Sequence, residues 1–134
     1  MNNAVAGALS IAWIFAGCAQ IRQPQGGPKD TVPPLLLSAE PPDGSVLFVG
    51  QRIVLHFDER VKLDQVHDRL LVSPPLRSPP TVTVNKGRDV VIKLNAPLAP
   101  NTTYTFNVGE AIEDLSEGNP VKGLAYVVSK VTYL

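Results

Sequence analysis

The sequence predicts an all-β fold, a two-sheet sandwich of about seven strands. Of its 134 residues, 13 are proline and 10 are glycine, a turn-rich composition that suits short strands and disfavours a helical bundle. After residue 34, apolar residues alternate with polar ones in short runs that end at proline, glycine, asparagine or aspartate. Residues 35–134 are 100 in number, which suits one domain with a single core.

Seven segments carry the strand pattern, because side chains alternate across a strand. They are 35–39, 52–58, 70–72, 81–84, 89–94, 103–108 and 124–128. Residues 85–88 (Asn-Lys-Gly-Arg) predict a hairpin loop. Residues 110–115 are expected to form one helical turn at most. The predicted core consists of Ile53, Leu55, Phe57, Val82, Val84, Val90, Ile92, Leu94, Tyr104, Phe106, Val108 and Tyr126.

The first segment of the chain is apolar and uncharged. Residues 4–19 hold one polar residue, Ser10, and no charged residue precedes Arg22. This stretch is shorter than the roughly 20 residues that a membrane-spanning helix needs. It ends in the small residues Ala16 and Gly17, so residues 1–17 are predicted to be a signal peptide.

Cys18 is the single cysteine of the chain, so the chain has neither an internal disulfide nor a cluster of thiolates for zinc. The string Phe15-Ala16-Gly17-Cys18 resembles the lipobox of bacterial lipoproteins. The resemblance implies cleavage before Cys18, a diacylglycerol on its thiol, and attachment of the protein to a membrane. The alternative is a buried cysteine at the end of a core helix.

The residues after Cys18 are predicted to form a tether. Residues 19–34 contain four prolines and the pair Gly26-Gly27, and they have too few apolar side chains to pack a core. The predicted organisation is therefore a signal peptide at 1–17, a Pro/Gly-rich tether at 18–34 and one sandwich domain at 35–134.

Charge excludes nucleic acid as a partner. Twelve Lys and Arg balance twelve Asp and Glu, and no basic block stands out. Neutralising phosphates requires clustered cationic side chains, which this sequence does not provide.

The string Leu98-Ala-Pro100-Asn-Thr-Thr-Tyr104-Thr-Phe-Asn-Val108 resembles the corner before strand F of fibronectin type III and related immunoglobulin-like (Ig-like) domains. The resemblance implies that Tyr104 is a tyrosine corner, with its ring packed inward and its hydroxyl bonded to upstream backbone. Leu98 and Pro100 belong to the same corner, and the role of all three residues is structural.

Six motifs in order resemble the bacterial Ig-like domain of the SbsA type, which occurs in S-layer proteins and cell-envelope lipoproteins. The resemblance covers residues 30 to about 128. It implies a non-enzymatic module of the cell envelope, on an outer-membrane lipoprotein that faces the periplasm or the cell surface. The motifs are Asp30–Pro34, Ser38–Gly44, Ile53–Glu59, Val72–Pro75, Leu98–Tyr104 and Asp114–Pro120.

Catalysis finds little support in the sequence. The two histidines, His56 and His67, have no cysteine nucleophile and no serine in a glycine-rich elbow nearby. His56 is expected on the outward face of its strand, because Phe57 points inward. His67 has Asp64 and Asp68 close by, but a metal site there lacks a third ligand.

Four carboxylates, Glu110, Glu113, Asp114 and Glu117, are weak calcium candidates, since calcium prefers oxygen ligands. They lack the alternating order of a calcium loop, so a solvated acidic loop is the competing interpretation. No other cofactor is expected.

The predicted function is adhesion, spacing or interaction with other envelope proteins; the alternative is a carbohydrate- or calcium-binding module. The one tryptophan, Trp13, lies in the predicted signal peptide and offers no sugar platform.

Overall fold

The structure is a computed structural model that describes residues 27–131. It confirms the all-β prediction, since this part of the chain forms nine strands and one helix of four residues. The elements are β1 (Leu36–Glu40), β2 (Arg52–Phe57), β3 (Val61–Leu63), α1 (Val66–Arg69), β4 (Leu71–Ser73), β5 (Thr81–Asn85), β6 (Asp89–Lys93), β7 (Thr102–Asn107), β8 (Ile112–Asp114) and β9 (Ala125–Lys130).

Two antiparallel sheets form the sandwich. The first has the strand order β1-β2-β6-β5, and the second has the order β4-β7-β9. These seven strands correspond to the seven predicted segments. Residues 44–48 leave the first sheet and run beside β9, where the Gly44 amide donates to the Val127 carbonyl at 2.7 Å. This is the seven-strand arrangement of an Ig constant-type sandwich, four strands against three.

The core lies between the two sheets. Phe106 on β7 and Tyr126 on β9 are cross-strand partners whose ring centroids are 6.1 Å apart, and both are fully buried. All predicted core residues are buried except Val82 and Val84, which are half-buried because β5 is an edge strand. The buried residues outside the prediction are Pro34, Phe48, Val61, Val91, Leu98, Ala111, Ile112, Asp114, Val121 and Val128.

Residues 112–114 form β8, which pairs with β3 in a two-stranded ribbon. The structure therefore differs from the prediction for residues 110–115. The expected helical turn is wrong, because Ile112 and Asp114 both point inward while Glu113 lies between them at the surface. That alternation has the period of a strand. Residues 66–69, around His67, form the single turn of α1, which is not among the predicted elements.

The predicted hairpin loop between β5 and β6 is confirmed, with Asn85 opposite Asp89. Lys86 and Gly87 both have positive φ, 53° and 75°, which a tight reversal requires. The Gly87 carbonyl accepts a hydrogen bond from the Val61 amide at 2.9 Å. The hairpin is therefore fixed to the start of β3.

The sandwich has two ends, which we call the entry end and the exit end. At the entry end, Leu35 precedes β1, and its amide donates to the Asp58 carboxylate at 2.9 Å. Leu124, just before β9, lines the same surface depression as Leu35. Lys130 closes β9 at the exit end, where it lines a small depression with Gln51 and Leu98.

Candidate interaction surface

The outward face of the β1-β2-β6-β5 sheet carries a regular arrangement of polar side chains. Antiparallel partners share a face, so the register places them in three cross-strand rows. At the exit end the row is Arg52, Lys93 and Thr81; the middle row is Glu40, Val54, Val91 and Thr83; the row nearest the entry end is Ser38, His56, Asp89 and Asn85. We call this surface the outer face.

His56 lies on the outer face, as its alternation with Phe57 predicts. Its Nδ1 is 2.7 Å from the Asp89 carboxylate, and its Nε2 is 3.5 Å from the Glu40 carboxylate. The hydrogen bond with Asp89 raises the pKa of His56; burial acts in the opposite direction, and the negative charges of Asp89 and Glu40 add to the rise. The side chain is 28% exposed, so solvent screens the pair only in part.

We expect this pair to make the domain's stability depend on pH near neutrality. Because the folded pKa of His56 is raised, its stabilising contribution is complete below the unfolded pKa of about 6.5 and is lost as pH rises through the folded value. Urea unfolding should therefore show a fall in the free energy of unfolding between about pH 6 and pH 8. His56→Gln should remove that fall and His67→Gln should keep it; an unchanged fall in His56→Gln would show that another group is responsible.

Two shallow depressions adjoin each other on the outer face and share Arg52 and Asn85. One, of about 500 Å³, extends over His56, Asp89 and Glu40. The other, of about 570 Å³, is lined by Gln51, Arg52, Thr81, Thr83, Val84, Asn85, Val91 and Lys93. Each volume falls within the range of small-ligand clefts.

The four calcium candidates do not converge on one point. Asp114 is buried, and its carboxylate accepts hydrogen bonds from the Glu117, Gly118 and Asn119 amides and from the Asn119 side chain. Glu113 pairs with Lys62 at 3.2 Å. Within residues 27–131, no group of three or more His, Cys, Asp and Glu side chains is arranged to hold a metal ion.

Asp114 instead holds the turn between β8 and Asn119. Burial acts to raise the pKa of its carboxyl, but the hydrogen bonds from Glu117, Gly118 and Asn119 outweigh it and lower the pKa to about 2. Gly118 has a φ of 75°, which lets the turn wrap its amides around the carboxylate. The Asn119 side chain also donates to the Asp30 carbonyl at 2.9 Å, which links this turn to the incoming chain.

One of the two carboxylates near His67, that of Asp64, has another partner. The Asp64 carboxylate pairs with Arg69 at 2.8 Å, and Arg69 also donates to the Glu110 carbonyl. Glu110 itself is exposed. Arg69 thus pairs with Asp64 at the start of α1 and connects the helix to the segment before β8 by a hydrogen bond.

Tyr104 lies at the start of β7 and is 5% exposed. Its hydroxyl accepts a hydrogen bond from the Ala99 amide at 3.0 Å, five residues upstream. Leu98 is buried in the same corner, and its carbonyl accepts a hydrogen bond from Lys130. Pro100 precedes Asn101, whose φ of 52° turns the chain into β7.

We expect Tyr104→Phe to lower the free energy of unfolding by about 1 kcal/mol, because the Ala99 amide loses its partner. Urea unfolding followed by circular dichroism measures this difference. Thr105→Ser, a similarly small change on the same strand, serves as the control and should alter stability less. A Tyr104→Phe variant as stable as the wild type would contradict a structural role for the hydroxyl.

Cys18, predicted to be the lipid attachment site, lies outside the described residues, as does the predicted signal peptide at 1–17. Among the described residues, no helix has the length and apolar character needed to cross a membrane.

Comparison with curated proteins finds no match. Among solved structures, an L,D-transpeptidase from Mycobacterium smegmatis is similar, with a TM-score of 0.50 and 16% sequence identity. The match covers 73% of this chain but only 40% of that chain, and at this identity it shows a shared fold alone. The family model described as a bacterial Ig-like domain matches residues 30–129, which is most of the sequence and all of the sandwich except the last residue of β9. The chain therefore belongs to the bacterial Ig-like domain family.

Proposed function

We propose that this protein is a non-enzymatic lipoprotein of the bacterial cell envelope, in which lipidated Cys18 anchors an Ig-like spacer and interaction domain to the outer membrane. Membership of the bacterial Ig-like domain family supports a role in the envelope. The lipobox-like string that ends at Cys18 supports the anchor.

The observation that carries the spacer function is the way in which the incoming chain is fixed to the sandwich. Pro34 is buried, although it belongs to the predicted tether. The Asp30 carbonyl accepts from Asn119, while Leu35 and Asp58 exchange two hydrogen bonds. A domain held in this way keeps a fixed orientation relative to the last residues of its tether.

The chain enters the sandwich at the entry end, and β9 ends at the exit end. The length of the domain therefore adds to the distance that the tether spans from the membrane. Asp30 lies twelve positions after Cys18, and this stretch spans at most about 40 Å when fully extended. The sandwich extends this distance by the length of its strands, which is about 20 Å for the six-residue strands β2 and β9. The exit end and the outer face are thereby presented to partners away from the lipid surface.

Acyl labelling of Cys18→Ser tests the anchor. Cells expressing the wild-type protein should incorporate labelled palmitate into it, and the protein should stay with the membranes after a high-salt wash. Cys18→Ser should lose the label and keep residues 1–17, whereas Ser10→Ala, a conservative change in the same segment, should behave as the wild type. Labelling that persists in Cys18→Ser would overturn the proposal.

A further inference from the structure

We propose that the outer face binds a carboxylated oligosaccharide, with Arg52 and Lys93 contacting its carboxylate. This inference does not depend on the anchor at Cys18. It starts from the strand register, which makes Arg52 on β2 and Lys93 on β6 direct cross-strand partners on the same face.

Two like charges directly opposite each other destabilise a sheet. Within residues 27–131, neither Arg52 nor Lys93 forms an ion pair. The two acidic side chains of the outer face, Glu40 and Asp89, are both directed to His56. The exit-end row therefore carries two positive charges without an ion-pair partner, and an anion placed between them relieves their repulsion.

The chemistry around the cation pair fits a sugar acid. Arg52 offers the planar donor fork that binds carboxylates with two hydrogen bonds, and Lys93 adds a point charge. Thr81 is the cross-strand neighbour of Lys93, and Thr83 follows on the same face, so two hydroxyls line the depression beside the cations. Gln51 and Asn85 add amide groups at its two ends.

The floor of the depression suits a pyranose ring. Val91, in the middle row, is 7% exposed and presents a small apolar surface between Thr83 and Val54. The C–H side of a sugar ring can lie on such a surface while its hydroxyls reach the threonine and amide side chains. The depression of about 570 Å³ accommodates a ligand of this size. A sugar acid carries a carboxylate and several hydroxyls on one ring, which matches two cations beside hydroxyl and amide side chains on an open surface. An acidic peptide would use the same cations, and polyglutamate in the test below distinguishes it from the oligosaccharide.

Calorimetric titration of the full chain, purified in detergent, tests this inference. The probe is a galacturonic acid oligomer; the same oligomer with methyl-esterified carboxylates and a polyglutamate of similar length are the comparisons. We expect saturable binding of the acid, at least tenfold weaker binding of the ester and of polyglutamate, and weakening as salt is raised. No saturable heat, or equal binding of the ester or of polyglutamate, would overturn the proposal.

Variants locate the site. Arg52→Gln and Lys93→Gln should each weaken binding of the galacturonic acid oligomer by about tenfold, the scale of a lost charge-assisted hydrogen bond. Lys122→Gln, which removes an exposed lysine away from the outer face, should leave the affinity unchanged. Both outer-face variants should fold, because they remove one of two repelling charges, and circular dichroism checks this. Equal losses in all three variants would show nonspecific charge attraction and would contradict the assigned site.

Discussion

Phe106→Ala should lower the free energy of unfolding by about 4 kcal/mol, the largest effect that we expect from a single substitution. Phe106 is 0% exposed, lies on the central strand β7 of its sheet, and packs against Tyr126. Removing the ring takes away buried apolar surface and leaves a cavity between two sheets that cannot close around it. Because a domain of this size is stabilised by only about 5–15 kcal/mol, the variant should be close to unfolding at physiological temperature.

Thermal and urea unfolding measure this loss, with a fall in Tm of roughly 20 °C. Thr105→Ala is the matched control, since it truncates the neighbouring residue on the same strand, whose side chain points away from the core and is half-buried. A loss in Phe106→Ala no greater than that in Thr105→Ala would contradict the placement of Phe106 between the sheets.

Asp114→Asn should destabilise the domain by about 3 kcal/mol, because the buried carboxylate accepts four hydrogen bonds, three of them from backbone amides of the turn. Asparagine has the same shape, but only one of its two terminal atoms accepts hydrogen bonds. Its NH₂ group would face N–H groups of the turn, so donors would meet without an acceptor. The Asn119 side chain, which links Asp114 to Asp30, should lose its position as well.

The same carboxylate should make the wild type sensitive to acid. The pKa of Asp114 is lowered in the folded state to about 2, from an ordinary value of 3.8. The stabilisation that Asp114 provides is therefore complete above the unfolded pKa and is lost as pH falls through the folded pKa. Between about pH 4 and pH 2, the free energy of unfolding should fall by roughly 2 kcal/mol because of this group.

Urea unfolding at a series of pH values tests both expectations for Asp114. The wild type should lose stability below about pH 4, and Asp114→Asn should lose less because the titrating group is gone. Glu110→Gln, at an exposed position just before β8, should keep the wild-type stability and pH profile. Identical acid profiles for the wild type and Asp114→Asn would contradict the network around this carboxylate.

The alternation of side chains was sufficient to predict the sandwich. Strands such as β2, β7 and β9 bury every second residue, so their sequences carry the period directly. The three-residue strands β3 and β8 are too short to show a period, and the acidic residues around Ile112 suggested a polar loop. Nothing local indicated that Asp114 would be buried, because its burial depends on the amides of a turn that folds back onto it.

The candidate site was predictable only in part. The outward direction of His56 follows from the neighbouring Phe57, and the sequence singles out Tyr104 among the three tyrosines. The pairing of His56 with Asp89, and of Arg52 with Lys93, depends on the register between β2 and β6. These residues are 33 and 41 positions apart, respectively, and a one-residue slip would move every side chain to the other face.

The intact mass of the protein isolated from its native membranes tests the account most directly. A lipid-anchored envelope module should begin at Cys18 and carry a diacylglycerol on that thiol, so its mass should equal that of residues 18–134 plus the lipid. An unmodified mass that includes residues 1–17 would contradict the anchor, and with it the proposal that this Ig-like domain works as a spacer at a membrane surface.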